Sequence, residues 1–444
     1  MKGFMTVLLC ILMVVPLLAS NSARQFFPYQ YERFELPNGL KTYLIPLKGS
    51  GLVAYYSVVR TGSRDEYEPG KSGFAHFFEH MMFRGTKKYP GSVYDSLVTT
   101  MGADANAYTT DDYTCYHLVV PGEYLERVME LESDRFQNLH YKESEFKTEA
   151  GAVYGEYRKG RVNPYSVLFE ELQNTAFDKH TYKHTTIGFE RDIKDMPNQY
   201  EYSLSFFKRY YRPDNVVLMI VGDFDPEKTK KLIKKYYGDW KPGYIPPKIT
   251  PEPEQRGERV KEVKYPGKTA PIVMVSYKSD AFNAADKNIA ASSLLADLAF
   301  GSNSEIYKQL VLKEQKVIQL GSYYPFSRDP KLFNIYAIVK DEADIPYVRQ
   351  KIDETIEKFK SEPVDEKKLN DLKKRERYSF LMSMETPDDI AGSLARFVAL
   401  TGGIEDVDVL YANIEAVTPQ DIQQAAKKYF QKDHRTVIIL KGAK

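Results

Sequence analysis

The same order of elements, an amphipathic helix, a polar turn and an apolar strand, occurs twice in this chain. In the first copy the helix ends at 208–211 and the strand follows at 216–221. In the second copy the helix ends at 427–430 and the strand follows at 436–440. The copies lie 219 residues apart (208 to 427), close to half of the 444 residues. Although so common a unit can recur by accident, this period favours a duplicated domain.

A proline-rich stretch lies between the two copies. Five of the thirteen residues at 241–253 are proline, a composition typical of a semi-rigid, extended linker. A chain of this length is also too long for one ordinary hydrophobic core. We therefore predict an α+β protein with two homologous domains, at 24–240 and 254–444. Each is expected to be a mostly antiparallel sheet packed with helices, and the linker joins them.

The first 23 residues have the pattern of a secretory signal peptide. Lys2 precedes a largely apolar run at 4–18, and mostly small residues follow at 19–23. The run is short for a bilayer span of about 20 residues. We therefore expect cleavage and export to a periplasmic or extracellular location, with an uncleaved membrane anchor as the alternative. Cys115 is then the single remaining cysteine, and we expect it to be an inert core residue.

Two histidines and a glutamate lie together in the pentapeptide His76-Phe77-Phe78-Glu79-His80. On a helix, residues three and four apart are neighbours, so His76 lies over Glu79 and His80. The two imidazoles can bind one metal ion while the carboxylate acts as general base on a water molecule, as in hydrolytic zinc sites. By itself the pattern is equally compatible with a polar helix face, and a catalytic zinc site needs a third protein ligand.

The segment 145–158 supplies candidates for that third ligand. Its apolar residues recur at helical spacing and define one face: Phe146, Ala150, Val153 and Tyr157. Glu149 and Glu156 lie two turns apart on the flank of this face, so both side chains are expected to enter the core, where a charge needs a partner such as a metal. One could bind the metal while the other orients a histidine ligand by a hydrogen bond. The alternative is that both are solvated residues of a charged helix.

The residues around the pentapeptide resemble a known family. The segment 72–86, SGFAHFFEHMMFRGT, closely resembles the inverted zinc-binding segment of the pitrilysin, or insulinase-like, metallopeptidases. Glu156 follows His80 by 76 residues, which is the interval of the third ligand in that family. Glu149 has the position of the glutamate that precedes this ligand by seven residues. The resemblance covers nearly all of the chain after the signal segment, and it is closest to the short subunits of the bacterial and mitochondrial-processing-peptidase kind.

This resemblance implies a zinc-dependent endopeptidase. The implied roles are zinc binding by His76, His80 and Glu156, general base catalysis by Glu79, and support of a histidine ligand by Glu149. The cofactor would be Zn²⁺, and the second domain would carry no metal.

The resemblance also implies how substrate binds. The stretch Asn106, Ala107, Tyr108 and Thr109 is similar to the strand on which family members bind an extended peptide by main-chain pairing. The implied substrates are peptides or unfolded polypeptides, enclosed in a chamber that two such double-domain subunits form. Because this chain supplies one half, a second subunit, paralogous or identical, is expected.

One departure from the family pattern bears on that partner. Active single-gene members usually carry an arginine and a tyrosine in the second half that help to hold the substrate carbonyl. Val311 stands at the position of the arginine, and Ile318 or Gln319 at that of the tyrosine, with Tyr323 and Tyr324 as substitute donors. We therefore expect a heterodimer in which a paralogue without the zinc motif supplies these donors.

Two other classes of function are less favoured. A non-catalytic structural subunit of the same fold would usually lack at least one metal ligand or the base, and all four residues are present here. A nucleic-acid-binding role is not supported, because 62 Lys+Arg against 61 Asp+Glu leave a net charge of +1. No membrane span is expected once the signal segment has been removed.

Overall fold

Two β-sheets, each covered by helices, make up the protein in the computed structural model, which describes residues 26–443. The signal peptide predicted at 1–23 lies outside the described residues. Within 26–443, no helix combines the length and the apolar composition needed to cross a membrane.

The first sheet and its helices come from the residues before the linker. The strands are β1 (Glu32–Glu35), β2 (Lys41–Pro46), β3 (Leu52–Val59), β4 (Asp104–Thr109), β5 (Thr114–Pro121) and β6 (Val216–Gly222). The helices are α1 (Phe74–Met81), α2 (Gly91–Thr100), α3 (Leu125–Asn138), α4 (Glu143–Gly160), α5 (Pro164–Ala176), α6 (Glu190–Asp195), α7 (Tyr200–Tyr210) and α8 (Pro226–Tyr237).

The second sheet and its helices follow the linker, which contains neither helix nor strand at 241–253. The strands are β7 (Arg259–Lys264), β8 (Ile272–Lys278), β9 (Val317–Tyr323), β10 (Leu332–Val339) and β11 (Arg435–Lys441). The helices are α9 (Lys287–Phe300), α10 (Glu305–Tyr307), α11 (Ile345–Ser361), α12 (Glu366–Met382), α13 (Pro387–Thr401), α14 (Asp406–Ala416) and α15 (Pro419–Tyr429). Helix α10 continues into a π-helical turn at Lys308–Lys313.

The two sheets have the same topology. The first is ordered β1-β2-β6-β3-β5-β4 and the second β7-β11-β8-β10-β9. Apart from the additional edge strand β1, each sheet contains one parallel pair, β2 with β6 and β7 with β11, and its other pairs are antiparallel. This equivalence confirms the predicted α+β fold with two homologous, mostly antiparallel sheets.

Each half of the chain lends one helix to the sheet of the other half. Helix α5 packs on β7 and β11 of the second sheet, and α13 packs on β3 and β6 of the first. The two helices are equivalent, since each is the third helix after the antiparallel pair β4–β5 or β9–β10. Because the first sheet is thereby covered on both faces, all seven residues of its central strand β6 are buried.

The exchange of helices predicts that the two halves unfold together. Leu394 of α13 is fully buried in the core that α13 forms with the first sheet, and Leu394→Ala is expected to cost about 2–5 kcal/mol of unfolding free energy. The single tryptophan, Trp240, is buried in the first half. We expect its fluorescence transition in urea to move to lower concentration together with the circular dichroism transition. An unchanged Trp240 transition would show that the halves unfold independently. Leu312→Ala, at a side chain that is 61% exposed, is the control.

Candidate metal centre and active site

Helix α1 carries His76, Glu79 and His80, so the predicted helix is confirmed. Its buried residues pack towards the sheet and the neighbouring helices: Phe74, Ala75, Phe77, Phe78 and Met81. This burial leaves the two imidazoles and the carboxylate on the less buried side of the helix.

Glu66, in the loop before α1, fixes the start of this helix. Its carboxylate accepts hydrogen bonds from the N–H groups of Gly73, at 2.7 Å, and Ala75, at 2.6 Å. A carboxylate at this place satisfies amides that have no partner in the first turn and interacts favourably with the helix dipole. Gly73 has a φ of 95°, a conformation that favours glycine. Burial raises the pKa of Glu66 well above its ordinary value, against the effect of these two hydrogen bonds.

The structure brings His76, His80 and Glu156 together. Oε2 of Glu156 lies 3.7 Å from Nε2 of His76 and 3.6 Å from Nε2 of His80. One ligand atom from each of the three residues lies within 4.8 Å of the others, and no other such cluster occurs in the described part of the chain. Ligands bound tetrahedrally at about 2.0–2.1 Å are about 3.4 Å apart. The two distances to Glu156 are close to this separation, so the cluster can hold a metal ion of the size of zinc.

Glu156 is more exposed than the sequence predicts. The apolar face of α4 is buried as expected, and so is Glu149, which is 5% exposed. The side chain of Glu156 is 49% exposed, because it lines a cavity of about 480 Å³ together with Phe169 and Thr185. The expectation that both glutamates enter the core was correct for Glu149 and wrong for Glu156.

Glu149 links His80 to Arg84. Its Oε1 lies 2.9 Å from Nδ1 of His80, and its Oε2 accepts hydrogen bonds from Nε and Nη2 of Arg84. The hydrogen bond between Glu149 and His80 lowers the pKa of Glu149 and raises the pKa of His80. With Nδ1–H donated to Glu149, the lone pair of Nε2 remains available on the side of Glu156.

His76 is the more buried of the two histidines. Burial, followed by the neighbouring His80, lowers the pKa of His76 to about 4. The ring is therefore neutral near pH 7, which is the form that binds metal ions.

Glu79 is held by strand β4. The hydroxyl of Thr109 donates a hydrogen bond of 2.6 Å to Oε2 of Glu79. Burial raises the pKa of Glu79, and hydrogen bonding by Thr109 opposes that rise. A carboxylate with a raised pKa accepts a proton more readily near neutral pH.

Strand β4 contains the four residues predicted to bind substrate, Asn106, Ala107, Tyr108 and Thr109. The strand lies at the edge of the first sheet and pairs with β5 alone. Asn106 is exposed and the other three are partly buried. The edge that faces away from β5 is therefore available for pairing with another extended chain.

The hairpin geometry identifies which backbone groups of β4 face this open edge. The N–H of Thr110 donates to the carbonyl of Tyr113 and closes the turn. Antiparallel pairs alternate between bonded and non-bonded, so the backbone groups of Thr109, Ala107 and Ala105 point away from β5. The amide of Ala107 donates to Oδ1 of Asn106 at 2.8 Å.

The turn between β4 and β5 is anchored to the second half. Asp112 is buried and accepts hydrogen bonds from the hydroxyl of Tyr182, at 2.5 Å, and from the backbone N–H of Arg328, at 3.2 Å. Lys331 forms an ion pair with Asp111. Burial raises the pKa of Asp112 to about 6, although the hydrogen bond from Tyr182 lowers it.

The arginine and tyrosine expected in the second half are missing from positions in and beside β9. Val311, in the π-helical turn, packs against the core, and Ile318 of β9 is exposed. Of the two substitute donors, Tyr324 is buried, whereas Tyr323 is 40% exposed and lines a cavity of about 230 Å³ between the halves. Tyr323 is therefore the more accessible hydroxyl.

Sequence analysis did not identify two residues at the site, Glu66 and Arg84. Arg84 lies four residues after His80, and helical spacing could have suggested that it shares a partner with that histidine. Glu66 is separated from α1 by an irregular loop, so no short-range pattern indicates that it caps the helix.

Comparison with known proteins identifies the family. The family model described as Insulinase (Peptidase family M16) matches residues 53–189, and the model described as Peptidase M16 inactive domain matches residues 199–376. The chain is 29% identical over 436 residues to the zinc protease PqqE of Helicobacter pylori, covering 97% of this chain and 96% of that protein.

Solved structures agree with this comparison. A protease from Helicobacter pylori superposes with a TM-score of 0.87 at 28% identity and covers 93% of this chain and 99% of that one. The periplasmic protease PqqL from Escherichia coli has the same fold, with a TM-score of 0.77 at 18% identity over 93% of this chain and 48% of that one. The chain belongs to peptidase family M16, the insulinase-like, or pitrilysin, family of zinc proteases.

Asp112 is expected to make the stability of the protein depend on pH. Its pKa of about 6 in the folded state lies above the ordinary value of 3.8, so the folded state binds more protons and stability falls as the pH rises between these values. The wild type should therefore lose stability relative to Asp112→Asn as the pH rises. The difference between their unfolding free energies should change by on the order of 3 kcal/mol between pH 4 and pH 7. Urea titrations of both proteins at several pH values measure this difference. Parallel pH curves for the two proteins would contradict it.

Proposed function

We propose that this chain is a zinc-dependent endopeptidase that hydrolyses peptides or unfolded polypeptides. The observation that carries the proposal is the convergence of His76, His80 and Glu156 beside a further carboxylate, Glu79, that is not part of the cluster. Two imidazole nitrogens, one carboxylate oxygen and an open side are the donor set of a catalytic zinc site, whereas structural sites have four protein ligands. Membership of a peptidase family supports the same function, as does the relative named a zinc protease.

The residues at the site have separate roles in this mechanism. Bound to His76, His80 and Glu156, Zn²⁺ would polarise a peptide carbonyl and lower the pKa of a water molecule. Glu79 is placed to accept a proton from an attacking water molecule and to donate it to the nitrogen of the leaving amine. Glu149 holds the ring of His80 through Nδ1, so that Nε2 keeps its direction.

The open edge of β4 is the proposed substrate-binding surface. The outward-facing backbone groups of Ala105 and Ala107 can pair with an extended peptide whatever its sequence. Because the strand continues to Thr109, which contacts Glu79, a peptide paired along β4 would bring one of its peptide bonds close to the base. The side chain of Asn106 would have to leave the amide of Ala107 for that pairing to be complete.

We also propose that two subunits form the chamber in which hydrolysis occurs. The first domain (24–240) would supply the metal site, and the second (254–444) would carry no metal. This chain aligns with 48% of PqqL, which supports a working unit of about twice this length. Val311 at the position of the expected arginine supports a paralogous partner, with a homodimer as the alternative. The pattern of residues 1–23 supports export to the periplasm or the cell exterior.

A non-catalytic structural subunit of the same fold is the second candidate and is not favoured. Such a subunit needs neither a metal nor a base. In this chain the three candidate ligands lie together, and the hydroxyl of Thr109 holds Glu79 beside them.

Glu79→Gln is expected to retain zinc and to lose hydrolysis. Glutamine has the same shape but cannot accept the proton, so kcat should fall by about 10²- to 10⁴-fold. Metal analysis by mass spectrometry and cleavage of an internally quenched peptide measure the two properties. Glu143→Gln, which changes an exposed glutamate of α4, is the control. Undiminished hydrolysis by the Glu79 variant would exclude Glu79 as the base.

If the active enzyme is a heterodimer, the purified chain alone should hydrolyse peptides only weakly. Addition of a paralogous subunit from an adjacent gene should raise kcat/KM by at least about tenfold, the effect of one charge-assisted hydrogen bond. The assay compares each chain alone with the mixture, and size-exclusion chromatography measures complex formation. Full activity of this chain as a monomer or homodimer would contradict the need for a paralogue.

A further inference from the structure

Thr109 contacts Glu79 through its side chain. Its hydroxyl donates a hydrogen bond of 2.6 Å to Oε2 of Glu79. Among the described residues, no other group donates a hydrogen bond to Glu79. The orientation of this carboxylate is therefore set by a single residue of the neighbouring strand and not by its own helix.

The hydroxyl of Thr109 engages one oxygen of the carboxylate, Oε2. A donated hydroxyl hydrogen bond fixes Oε2, so rotation of the carboxylate is restricted and Oε1 keeps one direction. A general base must lie within hydrogen-bond reach of the proton that it takes, and small displacements lower the rate strongly. An oxygen with a fixed direction meets this requirement.

Thr109 is itself held firmly. It precedes the turn of the β4–β5 hairpin, in which the hydroxyl of Thr110 accepts hydrogen bonds from the N–H groups of Asp112, at 3.2 Å, and Tyr113, at 3.1 Å. The turn packs so closely on Gly62 that a Cβ there would lie 2.4 Å from the carbonyl oxygen of Thr110. The hydrogen bond from the backbone N–H of Arg328 to Asp112 then connects this hairpin to the second half.

We propose that Thr109 is a positioning residue for the base: its hydroxyl orients the Glu79 carboxylate so that Oε1 is directed at the water molecule. This inference rests on the proposed peptidase function and adds to it. The side chain of Thr109 would act through Glu79, while its place on β4 couples the bound peptide to the base. Any contact of Thr109 with the substrate would then come from its backbone and not from its side chain.

The test compares Thr109→Val, which keeps the shape and removes the donor, with Thr109→Ser, which keeps the donor. We expect Thr109→Val to lower kcat about 10- to 100-fold with KM within twofold of wild type, and Thr109→Ser to recover most of the loss. Thr100→Val is the matched control, because the hydroxyl of Thr100 is exposed on α2 and donates to the carbonyl of Ser96. Zinc content should be the same in all four proteins.

Two measurements are independent of turnover. The first is the dissociation constant of a fluorescein-labelled unstructured peptide in the Glu79→Gln background, which should not change when Thr109→Val is added. The second is the crystal structure of Thr109→Val, in which the Glu79 carboxylate should be rotated or disordered while His76 and His80 keep their positions.

Three results would overturn the proposal: an unchanged kcat in Thr109→Val, an equal loss in Thr109→Ser, or a loss confined to KM and peptide affinity. A wild-type protein that hydrolyses no peptide with or without a partner would instead overturn the proposed function. In that case the position of Glu79 in crystal structures of the wild type and of Thr109→Val still decides whether Thr109 orients it.

Discussion

The packing of α1 against α4 is the contact on which the candidate site depends. Phe77 of α1 and Phe146 of α4 meet edge to face, with ring centroids 5.0 Å apart, in the core of the first half. Aromatic pairs in this geometry contribute about 0.5–1.5 kcal/mol beyond the burial of their surface. Because both rings are fully buried, the separation of the two helices is fixed. Ligands that are 76 residues apart in the chain, His80 and Glu156, consequently come within 3.6 Å.

The second half contributes to the site without supplying a metal ligand. Helix α13 covers the face of the first sheet that the helices of the first half leave open, and α5 covers the second sheet in exchange. Arg328 and Lys331 hold the turn that follows Thr109. The match of the second half to a domain described as inactive is consistent with a supporting role. The second half therefore holds strand β4 in place, and Thr109 of β4 holds Glu79.

Sequence predicted the parts of the site that follow from local spacing. The helical intervals within 76–80 and between Glu149 and Glu156, together with the apolar face of α4, supplied the candidate residues, and the resemblance to the family selected Glu156 as the third ligand. The duplicated topology was predicted from the repeated helix, turn and strand. Features that depend on contacts between distant segments were not predicted: the cap from Glu66, the exposure of Glu156, and the exchange of α5 and α13. Burial of Glu149 but not Glu156 depends on which neighbour covers each turn of α4, and one periodic pattern does not contain that information.

The most direct test of the central claim is diffraction from crystals of the purified chain, recorded on both sides of the zinc absorption edge. We expect one strong anomalous peak at about 2.0–2.2 Å from Nε2 of His76, Nε2 of His80 and a carboxylate oxygen of Glu156. The hydrogen bond between Nδ1 of His80 and Glu149 should be retained beside it. A crystal of zinc-supplied protein without a peak there, or with zinc bound by other residues, would contradict the account.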